Sequence, residues 1–371
     1  MNSQTSRRDF FAAAGLGITI VKPEAVRGSQ ANSALSVGLI GCGRRGTAIS
    51  GIFAKNEFAK IAAICDIYED QLSAAAQKFS GARQFKDMHA LLASDVDAVY
   101  IATPPYLHPE HFEAAVKARK HIFMEKPAGV DPAGCRRVIA AAKKADPKKR
   151  ISVDYQQRYG KDYRKVYDVV KSGELGGIKM IRAAWLGGGL PVRKGHPSAE
   201  EPMRNWLFYR EKSGDIIVEQ DCHNIDVVNW FMGTHPMKAC GYGGRAVRKD
   251  IGNIMDNLAA TFTFADGTVF SYSANQFSQG FRDISETFIC EKGSANVGRQ
   301  GYTIWREGKA PETGATKYDI TADAVNEFIE GARTGKLENA AFTAAESTLT
   351  AIMAREAIYS GREWTWKNVS G

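Results

Sequence analysis

Along the first half of the chain, apolar residues fall into short runs of strand length, each separated from the next by a helical stretch. Residues 35–40 form one such run, and further buried strands are predicted at 61–65, 96–102, 121–124 and 151–153. Between them the spacing predicts helices over 70–79, 87–93, 109–118 and 132–144. Near-continuous apolar strands alternating with helices imply a parallel sheet covered on both faces, wound in two directions from its centre. In such a sheet ligands bind at the carboxyl ends of the strands, where Thr103, Lys126 and Asp154 fall.

After Gln156-Gln157-Arg158 the pattern changes. A helix over 161–171 and a strand over 178–185 lead into the loop Gly187-Gly188-Gly189. Residues 257–264 and 269–275 alternate in polarity around Asp266-Gly267, a pair suited to a hairpin turn, and strands are also predicted at 284–290 and 302–306. Helices over 322–332 and 342–360 close the chain, the second stopping at Gly361. The expected fold class is therefore α/β: a doubly wound parallel sheet over 35–154, and an α+β domain with a mostly antiparallel sheet over 155–371. The closing helices are expected to cover one face of the antiparallel sheet. If the other face is apolar it needs a partner, so a homodimer or homotetramer is expected.

The first strand runs into Gly41-Cys42-Gly43-Arg44-Arg45-Gly46 and then a helix. In this Rossmann context the first glycine permits a tight turn, the second admits a pyrophosphate, and the third lets the helix pack on the strand. The helix N-terminus then offers unpaired N–H groups to the phosphates. Three spaced glycines alone are a weak signal in a chain with 36 of them. The strand over 61–65, however, ends at Asp66, twenty residues after Gly46, where a carboxylate binds the ribose hydroxyls and repels a 2′-phosphate. The cofactor expected is NAD.

A helical run is predicted from Ser213 to Phe231, with Glu219, His223, Asp226 and Trp230 on one face and an apolar remainder. Spacing leaves two readings of this polar stripe open: a satisfied buried cluster, or an acid–base group that takes a hydroxyl proton. Lys126 is placed to stabilise a developing oxygen charge.

Composition narrows the picture only slightly. A net charge of +8 is spread along the chain without a block of like charges, so nucleic acid is not an expected partner. The six cysteines, at 42, 65, 135, 222, 240 and 290, show no metal-type spacing, and no metal is expected. Ser6-Arg7-Arg8-Asp9-Phe10-Phe11 ahead of a weakly apolar stretch has the layout of a twin-arginine export signal, expected to span 1–31 and to direct the folded protein to the periplasm.

From residue 35 to its C-terminal helices the chain resembles the glucose–fructose oxidoreductase and inositol dehydrogenase family. The marks are the glycine loop, Thr103-Pro104-Pro105-Tyr106-Leu107-His108, Glu125-Lys126-Pro127, and Glu219-x-x-x-His223-x-x-Asp226. The resemblance implies that Lys126 acts at the reacting hydroxyl and that His223 is the catalytic histidine. It implies too that Thr103, Pro104, His108, Glu125 and Lys126 join Gly41, Cys42, Gly43, Arg44, Arg45, Gly46 and Asp66 around the cofactor. Glu219 departs from the aspartate that inositol-dehydrogenase-like members carry, and stays a third catalytic candidate. Arg158, Asp226, Arg204 and His196 are the expected substrate contacts, although His196 between Gly195 and Pro197 suits a turn equally well. The function expected is oxidation of a hydroxyl on a sugar, glycoside or cyclitol by NAD that stays bound. The alternative is a redox-neutral glycoside cleavage through transient oxidation.

Overall fold

The computed structural model describes residues 34–371; the expected export signal lies outside them. Residues 35–371 form one compact unit built on two sheets. The first sheet is six-stranded and wholly parallel, in the order β3-β2-β1-β4-β5-β6. Its strands are β1 (Leu35–Ile40), β2 (Ala59–Cys65), β3 (Arg83–Phe85), β4 (Ala98–Ile101), β5 (His121–Met124) and β6 (Ile151–Val153). The order reverses between β1 and β4, so a crevice opens at their carboxyl ends. Only β3 was not legible as a strand: Arg-Gln-Phe is short, polar and at the sheet edge.

The second sheet has nine strands in the order β14-β13-β12-β11-β7-β10-β9-β8-β15. They are β7 (Ile178–Leu186), β8 (Lys238–Gly244), β9 (Asn257–Thr263), β10 (Val269–Asn275), β11 (Asp283–Cys290), β12 (Gly293–Gly298), β13 (Gly301–Arg306), β14 (Glu312–Ala315) and β15 (Trp364–Thr365). All neighbours are antiparallel except β7 and β10. The unforeseen strands β8 and β12 are rich in glycine and small residues, which blurs the apolar alternation.

Of the two closing helices, only the second packs on the antiparallel sheet as expected. Ile320–Thr334 lies on the first sheet, where Phe328 meets Phe53 and Phe123 edge-on or tilted at 5.4–6.0 Å. It supplies a covering layer to the parallel sheet that no local crossover provides. Ala341–Ser360 is buried nearly all round and ties the halves together: Thr348 accepts the Ala128 N–H at 3.0 Å, and Arg355 donates to the carbonyls of Val130 and Gly214 at 2.7 and 3.0 Å. The inner face of the second sheet is covered by Lys161–Lys171, Cys222–Met232 and Ala341–Ser360, with Phe231 stacked on Phe288 at 4.2 Å. No helix of the described residues is long and apolar enough to cross a membrane.

The run from Ser213 is not one helix. It breaks into Ile216–Glu219 and Cys222–Met232, with the Asp221 N–H bonded back five residues to Ile216 O at 3.0 Å. The carbonyl of Glu219 accepts from the Lys126 ammonium instead of the next helical turn. A cation inserted into the helical ladder is a sufficient cause for such a break, and breaks of this kind concentrate at functional sites.

Candidate functional site

The crevice after β1 is shaped by glycines. Gly41 has φ +98°, and a Cβ there would lie 2.7 Å from Ala102 O; at Gly46 a Cβ would lie 2.0 Å from Gly41 O. The helix Arg44–Lys55 can therefore start hard against the strand end. Gly43 caps it with no side chain bonded to the first turn, which leaves that turn's amides for an anion. Asp66, buried at the end of β2, accepts from the N–H groups of Cys42 at 2.7 Å and Tyr68 at 2.8 Å. One lone pair on each oxygen is thus spent on a backbone amide, Oδ2 on the glycine loop and Oδ1 on the turn after β2, and one remains. Burial raises the carboxyl pKa, only partly offset by those two amides. A cleft of about 740 Å³ opens here, lined by Gly41, Gly43, Arg44, Asp66, Thr103 and Pro104, with Arg193, Arg204 and Trp206 across it. Glycine clearance, an uncapped helix end and a carboxylate at the end of β2 all fit NAD.

Of the other expected cofactor residues, Arg45 lines the cleft, while Cys42, His108 and Glu125 support it from behind. Cys42 is buried and contributes its N–H to Asp66. Arg45 donates to Glu125 at 2.8 Å and to Asp154, and the Tyr100 hydroxyl donates to Glu125 at 2.7 Å. These groups consume one another and lock together the ends of β4, β5 and β6. Burial and the charge of Glu125 push Asp154 up to about 8, against the pull of Arg45. Glu125 is itself held below the usual carboxylate range, because Arg45, the Tyr100 hydroxyl and Lys126 outweigh its burial. His108 is fully buried, with ring nitrogens 2.7 Å from Pro127 O and 2.8 Å from Thr103 O. It clamps the two loops that follow β4 and β5.

Lys126 follows β5, and its ammonium donates to Glu219 Oε1 at 2.6 Å and to the Glu219 carbonyl. Burial opposes its charge, but Glu219 more than compensates and raises the Lys126 pKa. Two of its three hydrogens are engaged, leaving one. His223 lies in the first turn of the following helix, its ring nearly parallel to Trp185 (17°, 5.8 Å) and edge-on to Tyr155 (6.1 Å). Its Nδ1 is buried without a partner. Burial, then the charges of Lys126, Arg299 and Arg45, hold its pKa well below 6.5, so the imidazole is neutral and able to accept a proton.

The four expected substrate contacts do not converge there. Arg158 and Asp226 form a two-pronged ion pair at 2.7 and 2.9 Å, and Ser347 donates to Asp226 at 2.7 Å. Asp226 is fully buried, so both oxygens are spent on structure. Arg204 lies 3.6 Å over the Tyr68 ring and pairs with Asp70 at 2.9 Å and Glu200 at 2.7 Å, on the rim of the nucleotide cleft. His196 faces the carbonyls of Arg193 and Pro197 and the Glu201 carboxylate at 3.1–3.2 Å, as a turn residue does. Sequence reasoning missed Trp185 and Arg299, whose side chains meet at 5.0 Å beside His223. An arginine in a hairpin turn carries no signal in sequence that separates it from an exposed one.

A doubly wound sheet with a glycine-cradled helix end, facing a lysine and a neutral histidine, defines a nucleotide-dependent redox protein. Residues 35–155 match the model described as oxidoreductase family, NAD-binding Rossmann fold, and residues 163–296 match the GFO/IDH/MocA C-terminal domain. The chain belongs to the Gfo/Idh/MocA family of NAD-binding oxidoreductases. Myo-inositol 2-dehydrogenase of Thermotoga maritima is 27% identical over 238 residues, 63% of this chain and 66% of that protein. Inositol 2-dehydrogenase of Corynebacterium glutamicum is 26% identical over 281 residues, 75% of this chain and 78% of that one. Among solved structures, levoglucosan dehydrogenase in complex with NADH and levoglucosan shares the fold with a TM-score of 0.77 at 19% identity, covering 90% of this chain and 99% of that one. Apo scyllo-inositol dehydrogenase from Lactobacillus casei gives 0.72 at 20% identity with the same coverage.

Proposed function

We propose that the protein is an NAD-dependent dehydrogenase of a hydroxyl on a sugar, glycoside or cyclitol. The observation that carries this reading is a charged Lys126, 2.6 Å from Glu219, in the same buried centre as a neutral His223 whose Nδ1 has no partner. NAD held against the glycine loop supplies the hydride acceptor. The remaining hydrogen of Lys126 binds the alcohol oxygen and stabilises the charge that develops on it. His223 accepts the hydroxyl proton, which a neutral imidazole can do and an imidazolium cannot. Glu219 orients Lys126 and keeps it protonated. The named relatives are dehydrogenases of inositols and of levoglucosan, which supports this reading and does not favour redox-neutral cleavage.

The test is absorbance of reduced nicotinamide on adding polyols and sugars to the purified chain with NAD. Turnover lost in both Lys126→Ala and His223→Ala, with nucleotide still bound, sustains the assignment. A substrate cleaved with no absorbance change overturns it. Export by the twin-arginine route belongs to this proposal, because a folded chain carries NAD with it; nucleotide released on denaturing periplasmic protein checks that. So does assembly into a homodimer or homotetramer, supported by Met180, Val269, Ile289 and Trp305 exposed on the outer side of the second sheet; light scattering reads the mass.

A further inference from the structure

Arg299 sits in the turn between β12 and β13, its guanidinium 5.0 Å from the centre of the Trp185 ring. The same indole stacks on His223. Arg299 is one of the three cations that act on His223, and the other two have carboxylate partners: Lys126 has Glu219 at 2.6 Å, and Arg45 has Glu125 at 2.8 Å as well as Asp154. Arg299 makes no hydrogen bond or ion pair with any described residue, and its Nε is buried without a partner.

The acidic groups that act on it, Glu286 and Asp154, make no ion pair with it. Glu286 is fully buried, accepts from Asn224 at 2.6 Å through Oε1, and leaves Oε2 without a partner. Burial pushes its carboxyl well above the usual range, so a negative charge is disfavoured there. Tyr163, which also acts electrostatically on Arg299, has a buried hydroxyl with no partner. Guanidinium cannot shed its proton, so a part-buried one whose Nε has no partner is costly to leave without a counter-charge, which a ligand can supply.

We propose that Arg299 binds a carboxylate on the substrate, which makes the preferred substrate a sugar acid and not a neutral sugar or cyclitol. The inference rests on the dehydrogenase reading above. One uncompensated positive charge matches one monoanion, whereas a phosphate dianion would leave a buried negative charge. The planar guanidinium fork fits a carboxylate through two parallel hydrogen bonds, and the Tyr163 hydroxyl adds a third donor.

The test uses the full chain loaded with NAD and a panel of hexuronates, the matching hexoses, the hexose 6-phosphates and myo-inositol. Rates are read by nicotinamide absorbance and binding by calorimetry, in wild type, Arg299→Gln and Arg299→Lys. The expected result is that at least one uronate binds, and that Arg299→Gln raises its KM or Kd about 100-fold with a smaller change in kcat. The uronate-to-hexose ratio of kcat/KM then collapses towards one, and Arg299→Lys restores part of it. Tightest binding by a phosphate ester or a neutral compound, or an unchanged ratio in Arg299→Gln, overturns the inference. Binding of uronate that depends on Arg299 without any nicotinamide turnover would keep the carboxylate site and remove the dehydrogenase reading. Turnover of neutral compounds alone would do the reverse.

Discussion

The nucleotide cleft and the reaction centre open at the same end of the first sheet, but they are made of different material. The cleft is built from backbone: three glycines without side chains, an uncapped helix end, and a carboxylate whose first task is to hold two amides. The centre is built from side chains on the loop after β5, on a broken helix, on strands β7 and β11 and on the turn after β12, and several of their polar atoms have no partner. Two histidines show the contrast. His108 is buried with each ring nitrogen facing a carbonyl oxygen, and its N–H has a partner there whichever tautomer it adopts. His223 is buried with Nδ1 bare, which is costly for a structural residue and useful for one that must take a proton.

The largest expected effect falls on the centre. His223→Ala and Lys126→Ala should each lower kcat by about 10³-fold, the range of acid–base groups, while nucleotide fluorescence still reports binding. Nucleotide lost together with activity would mean that the two regions are one. Next, Asp226→Ala should cost about 1.5–3 kcal/mol in urea denaturation, because it removes the buried carboxylate that holds the part-buried Arg158 guanidinium. Unchanged stability with a raised KM would return Asp226 to the substrate. Asp66→Ala should shift the preference for NAD over NADP by about tenfold, measured by titration with each; an unchanged ratio would limit Asp66 to bracing the glycine loop.

The smallest effect concerns acid stability. Burial, with help from His108 and His89, holds His111 down to about 4, against 6.5 for a free histidine. Between those pH values the unfolded chain binds a proton that the folded chain refuses, so stability falls as pH is lowered through the window. Asp154 works in the opposite sense, since a folded pKa of about 8 against 3.8 makes stability fall as pH rises between them. His111→Gln removes only the first contribution. The variant should therefore lose less stability than wild type between pH 7 and pH 4.5 in paired urea titrations. Parallel losses would show that His111 titrates normally.

Legibility in the sequence follows the same division. Strands β1, β5 and β6 and the glycine loop are local features: an apolar run, a tight turn and a helix start are settled within a dozen residues, and the sequence displays them. Lys126 and His223 were found through short motifs, but the contact of Lys126 with Glu219 was not. The periodicity of 213–231 is that of one helix, and only the arrival of Lys126, 93 positions away in the chain, takes the Glu219 carbonyl and breaks it. Arg158 and Asp226 look like ligands in sequence because they are polar residues near a site. The fold instead brings them within 2.7 Å of each other and so uses them up.

By itself the sequence determined the parallel sheet, the antiparallel second half, the cofactor loop and the identity of the two residues proposed to move the proton. Tertiary structure decided which polar groups remain free. It sent the helix Ile320–Thr334 back to cover the first sheet, consumed Arg45, Arg158 and Arg204 in ion pairs, and left Arg299 unpaired beside Trp185. The reason is physical: strand and helix preferences are set by neighbours in the chain, whereas the partner of a charge is set by whichever distant segment packing brings against it.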